Sequence, residues 1–262
     1  NIFTNPSDYS QSTAASLHVS LFIDEFRGNA GGQKFQAILT DADKHKLFDI
    51  LPSRSQVSLM QYLQDFPNKK EVRYFVTDMN KIYRDLASEY FPNATIVVDK
   101  FHVIRYVTWA LENVRKRVQK LLHPDKRKYF KRSRKLLLTH KYKLNKEGLQ
   151  ALEIMLLHSQ DLATAYHLKE LFYDFMDSYT RAEAAKKLRF FILAAQANEL
   201  KEFHACLTML GNWSKYILNA FDCSYTNGYT EGTNNAIKVI KRNAFGYRNF
   251  ENFRNRIFLS LT

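Results

Sequence analysis

The chain has 262 residues, a formal net charge of +13, 45% hydrophobic and 14% aromatic residues. That composition excludes wholesale disorder, and no apolar run approaches the roughly 20 residues that cross a bilayer. The length allows one large core, or one core carrying a sizeable insertion, and the positive field selects a polyanion, with nucleic acid preferred to a membrane face.

Residues 1–16 are polar and rich in Ser, Thr and Asn, and read as a linker or arm without the plan of a signal peptide. The chain opens on Asn1 rather than Met, so a preceding N-terminal part is expected. Leu17 to Ile23, Gln33 to Leu39 and Lys46 to Leu51 are strand candidates separated by the Gly-rich turn at Gly28–Gly32 and by Thr40–Lys44. Together they predict a three-stranded antiparallel meander.

Gln56 to Phe66 has helical spacing, Val72 to Val76 is a short apolar strand, Lys81 to Tyr90 a helix, and Ala94 to Val98 a buried strand. Strand, helix, strand after a meander predicts a mixed sheet with parallel central strands. Asp24, Asp78 and Asp99 each follow a β-rich apolar run, which places them at the sheet rim where such folds do chemistry. Asp24 and Asp78 are the sharper pair, although Asp is also a common strand-ending turn residue.

From Phe101 to about Phe221 the pattern is helical almost throughout, with a long apolar stripe from Val103 to Leu122. Further helices are predicted over 146–158, 161–178, 181–197 and 199–221. Within this region Lys126, Arg127, Lys128, Lys131, Arg132, Arg134 and Lys135 are interleaved with Tyr129 and Phe130. The segment reads either as a solvated face or as a track for a nucleic-acid backbone. Cys206 and Cys223 have no CxxC companion and read as reduced structural thiols without zinc.

The stretch from Thr226 to Arg256 organises the rest. An Asn, Gly and Thr turn delivers Glu231 to the first turn of a helix whose later turns carry Lys238, Lys241 and Arg242. Glu231, Asn234 or Asn235, Lys238, and Lys241 or Arg242 share one predicted face, flanked by Ile237 and Ile240. Glu231 either complements the helix dipole or joins the strand-end acids. Arg254 and Arg256 form a basic tail. Two aspartates and a glutamate in one place would suit a pair of Mg²⁺ or Mn²⁺ ions, since hard cations take oxygen ligands. Such a pair activates one oxygen and stabilises another in a displacement at phosphorus.

Leu21-Phe22-Ile23-Asp24-Glu25-Phe26, Val76-Thr77-Asp78-Met79, Ala94 to Val103 with Asp99 and His102, and Thr230-Glu231-Gly232-Thr233-Asn234-Asn235 with Lys238, Lys241, Arg242 and Gly246-Tyr247 resemble the DDE transposases of the ISL-three insertion-sequence family. The resemblance covers about residues 17–262. It implies an α/β, ribonuclease-H-like mixed sheet with a large all-α insertion between the last core strand and the final helix. The division is then a core of 17–102, a helical insertion of 103–222, and a closing segment of 223–262 with the third acid.

It also implies metal-dependent DNA cleavage and strand transfer at the inverted repeats of a mobile element. Asp24, Asp78 and Glu231 would be the catalytic, metal-binding triad. Asp99 and His102 match an accessory element, expected to orient DNA or a water; a helix cap at Asp99 with His102 packed beside it, or a general base at His102, are the alternatives. Lys238, Lys241, Arg242, Lys126, Arg127, Lys131, Arg132 and Arg134 are the expected DNA-phosphate contacts. A homodimer on paired ends, in the bacterial cytoplasm at the nucleoid, follows from the resemblance alone. The family's N-terminal zinc-binding segment and helix-turn-helix region have no counterpart in these residues. A hydrolytic nuclease or resolvase of the same fold, and an inactive transposase-derived DNA-binding protein, are the competing expectations.

Overall fold

The computed structural model describes residues 20–41, 44–223, 225 and 228–261, with the side chains of Asp125, Tyr129, Lys131 and Arg132 outside that description. Leu17 to Val19 and the predicted arm also lie outside the described residues. The chain divides into two compact units: residues up to Asp99 together with those from Ser224 onward, and residues Lys100–Cys223.

The first unit is built on a five-stranded mixed sheet of β1 (Ser20–Phe26), β2 (Gln36–Asp41), β3 (Lys46–Leu51), β4 (Tyr74–Thr77) and β5 (Thr95–Val98). Their order is β3-β2-β1-β4-β5. β1, β2 and β3 form the antiparallel meander, while β4 lies parallel to β1 and β5 parallel to β4. The carboxyl ends of β1, β4 and β5 therefore meet at one edge. β1 runs three residues past the predicted Ile23, so Asp24 stands inside the strand, paired with Ile38, and not after it.

Strand alternation gives the sheet two distinct faces. Phe75 packs toward Phe91, with ring centroids 5.4 Å apart, on the side of α1 (Gln56–Gln64) and α2 (Lys81–Tyr90). Both helices begin at a side-chain cap, Ser55 accepting from Ser58 N at 3.3 Å and Asn80 accepting from Ile82 N at 2.9 Å. The other face carries Phe26, Ile38, Leu47 and Ile50, which close on Ile237, Phe253 and Ile257 of two C-terminal helices, α10 (Gly228–Asn243) and α11 (Phe250–Leu261).

The helix α11 replaces the expected basic tail. Asn249 Oδ1 accepts from Asn252 N at 2.9 Å to start it, and Phe250, Phe253 and Ile257 supply its buried stripe. Arg254 is occupied inside the fold: its Nε and Nη2 donate to Asp49 Oδ1 at 3.0 and 2.8 Å, and Tyr62 Oη donates to Asp49 Oδ2 at 3.0 Å. Burial, then the Asp49 charge, pushes the Tyr62 phenol well above its ordinary range. Gly28 gives the Gln36 side chain its room where α11 meets the sheet, because a Cβ there would lie 1.9 Å from Gln36 Oε1 and 3.1 Å from Phe253 Cε1, and Gln36 would have to shift.

The second unit is helical. It contains α3 (Lys100–Leu121), α4 (Pro124–Arg132), α5 (Arg134–Leu138), α6 (Lys146–Leu156), α7 (Gln160–Met176), α8 (Arg181–Ala197) and α9 (His204–Asn219). The single helix expected over 199–221 is instead a short 3-10 turn, Lys201–Phe203, leading into α9 after Glu199 adopts a φ of 50°. Phe172, Phe175 and Phe191 form its aromatic centre, with rings 5.0 to 5.3 Å apart. Arg117 ties α3 to α7 and to the 3-10 turn through Asp161 at 2.7 Å and Glu202 at 2.6 Å. Neither Cys206 nor Cys223 forms a disulfide among the described residues; burial pushes Cys206 up to about 12.

Candidate active site

The β1–β4 register pairs Leu21 with Phe75 and Phe22 with Val76. Continued two residues beyond its last pair, that register brings Asp24 of β1 level with Asp78, the residue after β4, at the sheet's carboxyl edge, where neighbouring strands run roughly 4.8 Å apart. The β4–β5 register pairs Thr77 with Val98, and Asp99 N continues that ladder by donating to Thr77 O at 3.0 Å. Asp99 thus stands level with Asp78 on its other side. Asp24 and Asp78 are half-buried; Asp99 is buried.

Helix α10 lies against the sheet face that carries Asp24. Thr230 Oγ1 and Thr40 Oγ1 share a buried hydrogen bond of 2.8 Å, and Asn234 Nδ2 donates to Asp24 Oδ2 at 2.9 Å. Glu231 is in the first turn of α10, three residues before Asn234. Residues so spaced on a helix have Cβ atoms about 5–6 Å apart. The contact that fastens α10 to Asp24 therefore lies one helical turn from Glu231. Asn234 and Ile237 are buried while Asn235, Lys238 and Arg242 are exposed, so of the two asparagines it is Asn235 that faces outward with the cations and Asn234 that turns inward.

The same edge holds polar groups that the sequence does not flag. Tyr83 on α2 is fully buried and its Oη donates to Glu25 Oε2 at 3.3 Å. Burial first, then the negative charges of Glu25, Asp78 and Asp24, raises its phenol well above the ordinary range, so it stays a neutral donor. Arg54 pairs with Glu25, a contact that raises the guanidinium's affinity for its proton still further. Glu25 N donates to Asp24 Oδ1 at 2.7 Å. No spacing rule finds Tyr83 or Arg54; Asn234 is visible only as the residue one turn after Glu231.

Asp24, Asp78 and Glu231 offer only oxygen donors, as hard divalent cations require. The Oδ1 atom of Asn234, beside Asp24, is buried without a hydrogen-bond partner, a further oxygen of the same type. The donor set fits Mg²⁺ or Mn²⁺. Among the described residues, however, no group of three or more His, Cys, Asp or Glu side chains is gathered as a metal-holding set. Asp24 lies in β1, Asp78 directly after β4, and Glu231 in the first turn of α10.

Other expected site residues are placed as follows. His102 lies in the first turn of α3 and is half-buried. Lys238 Nζ donates to Asn235 Oδ1 at 3.3 Å, and Lys241 Nζ donates to Arg27 O. In the basic segment Lys126 is exposed, and Arg127 closes the end of α3 by donating to Lys120 O at 2.7 Å and Leu122 O at 3.0 Å. Arg134 approaches Glu112 at 3.8 Å. The side chains of Lys131 and Arg132 lie outside the described residues. Phe130 is fully buried, so it cannot offer a ring to a nucleic acid as the interleaved pattern suggests.

A family model described as a transposase matches residues 21–257. The chain belongs to that family, the ISL-three DDE transposases. It is 27% identical over 238 residues to the transposase for insertion sequence element IS1001 of Bordetella parapertussis. That match covers 89% of this chain and 58% of the relative, so the chain spans less than two thirds of the relative's length. A local match, 49% identical over 55 residues, links it to a Lactococcus lactis subsp. lactis protein named as an ATP-dependent protease, covering 20% of this chain and 18% of that protein. No helix among the described residues is long and apolar enough to cross a membrane.

Proposed function

We propose that this chain is the catalytic domain of a DNA transposase that cuts and joins strands at the ends of an insertion sequence. Its sheet and C-terminal helices would form a ribonuclease-H-like core of residues 17–102 and 223–262, with 103–222 as a helical insertion. The observation that supports the reading is the position of Asp24 in β1 and Asp78 directly after the parallel neighbour β4, at one edge of the sheet. α10 is fastened to Asp24 one turn from Glu231.

Asp24, Asp78 and Glu231 would hold two Mg²⁺ or Mn²⁺ ions, which when bound polarise a phosphodiester and activate a water or 3′ hydroxyl. The protein's own part is to fix these carboxylates on a sheet edge and a helix. Asn234 orients Asp24, and buried Tyr83 donates to the neighbouring Glu25 without adding charge. Lys238, Lys241 and Arg242 would hold phosphates beside the acids, and Lys126, Arg127, Lys131, Arg132 and Arg134 would hold flanking DNA. Asp99 and His102 would orient DNA or a water. Two copies would assemble on paired ends, in the bacterial cytoplasm.

Supplying the protein with pre-cut donor ends, target DNA and Mn²⁺ tests this directly. Joined products are expected. Hydrolysis without joining would identify a nuclease or resolvase instead, and DNA binding without either reaction would identify a binding protein.

A further inference from the structure

The turn that follows α10 leaves a large aromatic ring in water. Phe245 is 101% exposed, and its backbone occupies the left-handed region at a φ of 54°. That conformation is costly for a non-glycine residue, and the exposed ring recovers nothing by packing. The turn is nevertheless well defined. Phe245 N donates to Arg242 O at 3.0 Å, and Gly246 N donates to Lys241 O at 2.9 Å, with Gly246 at a φ of 99°.

Phe245 borders an open pocket of about 600 Å³, lined also by Gly28, Asn29, Lys241, Arg242, Tyr247 and Arg248. That size suits a small ligand or one nucleotide unit. Its walls are held by the fold. Gly31 N donates to Arg248 O at 2.9 Å, Gln36 Nε2 donates to Ala30 O at 3.1 Å, and Tyr247 stacks on Phe253 at 4.7 Å. The lining contributes Lys241, Arg242 and Arg248 and no carboxylate. Burial, then repulsion from Arg27 and Lys238, pushes the Lys241 ammonium below its ordinary value, a strain that a bound anion relieves.

An exposed ring rimmed by three cations matches an unpaired nucleotide, whose base offers a face for stacking and whose phosphate offers charge. A paired duplex offers phosphates but keeps its base faces covered. We propose that this pocket takes an unpaired nucleotide at a DNA end, its base stacked on Phe245 and its phosphate held by Lys241, Arg242 and Arg248. The inference rests on the DNA-processing reading above and adds to it a preference for opened ends.

The test compares two duplexes of equal length by fluorescence anisotropy, one fully paired and one ending in unpaired 3′ thymines. The wild-type chain is expected to favour the opened end by about tenfold, the affinity change that one stacked base supplies. Phe245→Ala should erase that preference and leave the paired duplex bound as before, whereas Phe245→Trp should keep it. Phe245 packs against nothing that the substitutions would disturb, and circular dichroism checks the fold. Equal wild-type affinity for both duplexes, or an equal loss on both in Phe245→Ala, overturns the inference while leaving DNA binding intact. No binding to either duplex overturns the DNA reading and this inference with it.

Discussion

Asp78→Asn is expected to reduce metal-dependent DNA cleavage by about a thousandfold or more while leaving DNA affinity and the folded state essentially unchanged. The size follows from the several kcal/mol that a bound metal contributes to a phosphoryl-transfer transition state. The selectivity follows from position. Asp78 is half-buried just past β4, and the amide oxygen of Asn can keep the 3.5 Å contact from Thr77 Oγ1 while losing the charge. Asp24→Asn should behave alike in catalysis. Parallel cleavage assays, filter binding and thermal melts on the same preparations decide the matter. Cleavage surviving in Asp78→Asn would remove Asp78 from the catalytic set.

The second large effect lies in the helical unit. Arg115 is buried and donates through Nε and Nη2 to Glu112 at 2.8 and 2.7 Å, and through Nη1 to Phe130 O at 2.9 Å. Glu112→Gln would leave that guanidinium buried without its counter-charge, a loss of about 3–5 kcal/mol for a severed buried pair. Urea denaturation of the whole chain should show a correspondingly lower midpoint. Burial alone would raise the Glu112 carboxyl, but the hydrogen bonds and charge of Arg115 outweigh it and hold the group below the ordinary value of 4.5. A depressed carboxyl stabilises the fold above its unfolded value and loses that contribution as pH falls through the folded one. The wild-type advantage over Glu112→Gln should therefore be full at neutral pH and shrink on acidification below the ordinary carboxylate range. An advantage unchanged through that range would show that the pair does not titrate as described.

Much of the architecture is legible in local pattern. The strand at Lys46–Leu51 and the helices at Lys81–Tyr90 and Arg181–Ala197 have the expected bounds, because apolar periodicity and flanking polar caps agree there. The α11 helix is missed because Arg254 and Arg256 dominate a short segment whose buried stripe has only three members, Phe250, Phe253 and Ile257. Asp24 reads as the residue ending its strand since a polar side chain on a sheet edge looks the same as a turn former.

The candidate site is less legible. Residue type and order pick out Asp24, Asp78 and Glu231, but what holds them is long-range. Asn234 reaches Asp24 across 210 positions, Thr230 reaches Thr40 across 190, and Tyr83 reaches Glu25 across 58. Such contacts leave no periodic trace. Charge runs leave such partners equally invisible: exposed Arg127 donates to Lys120 O and Leu122 O, and Arg254 to Asp49.

A crystal structure of the chain soaked in Mn²⁺, with anomalous maps identifying the ion, bears on the central claim most directly. Density is expected against the carboxylates of both Asp24 and Asp78, with Glu231 drawn to the same ions. Manganese absent from that edge, or bound with Asp78 or Glu231 left out, would contradict the account.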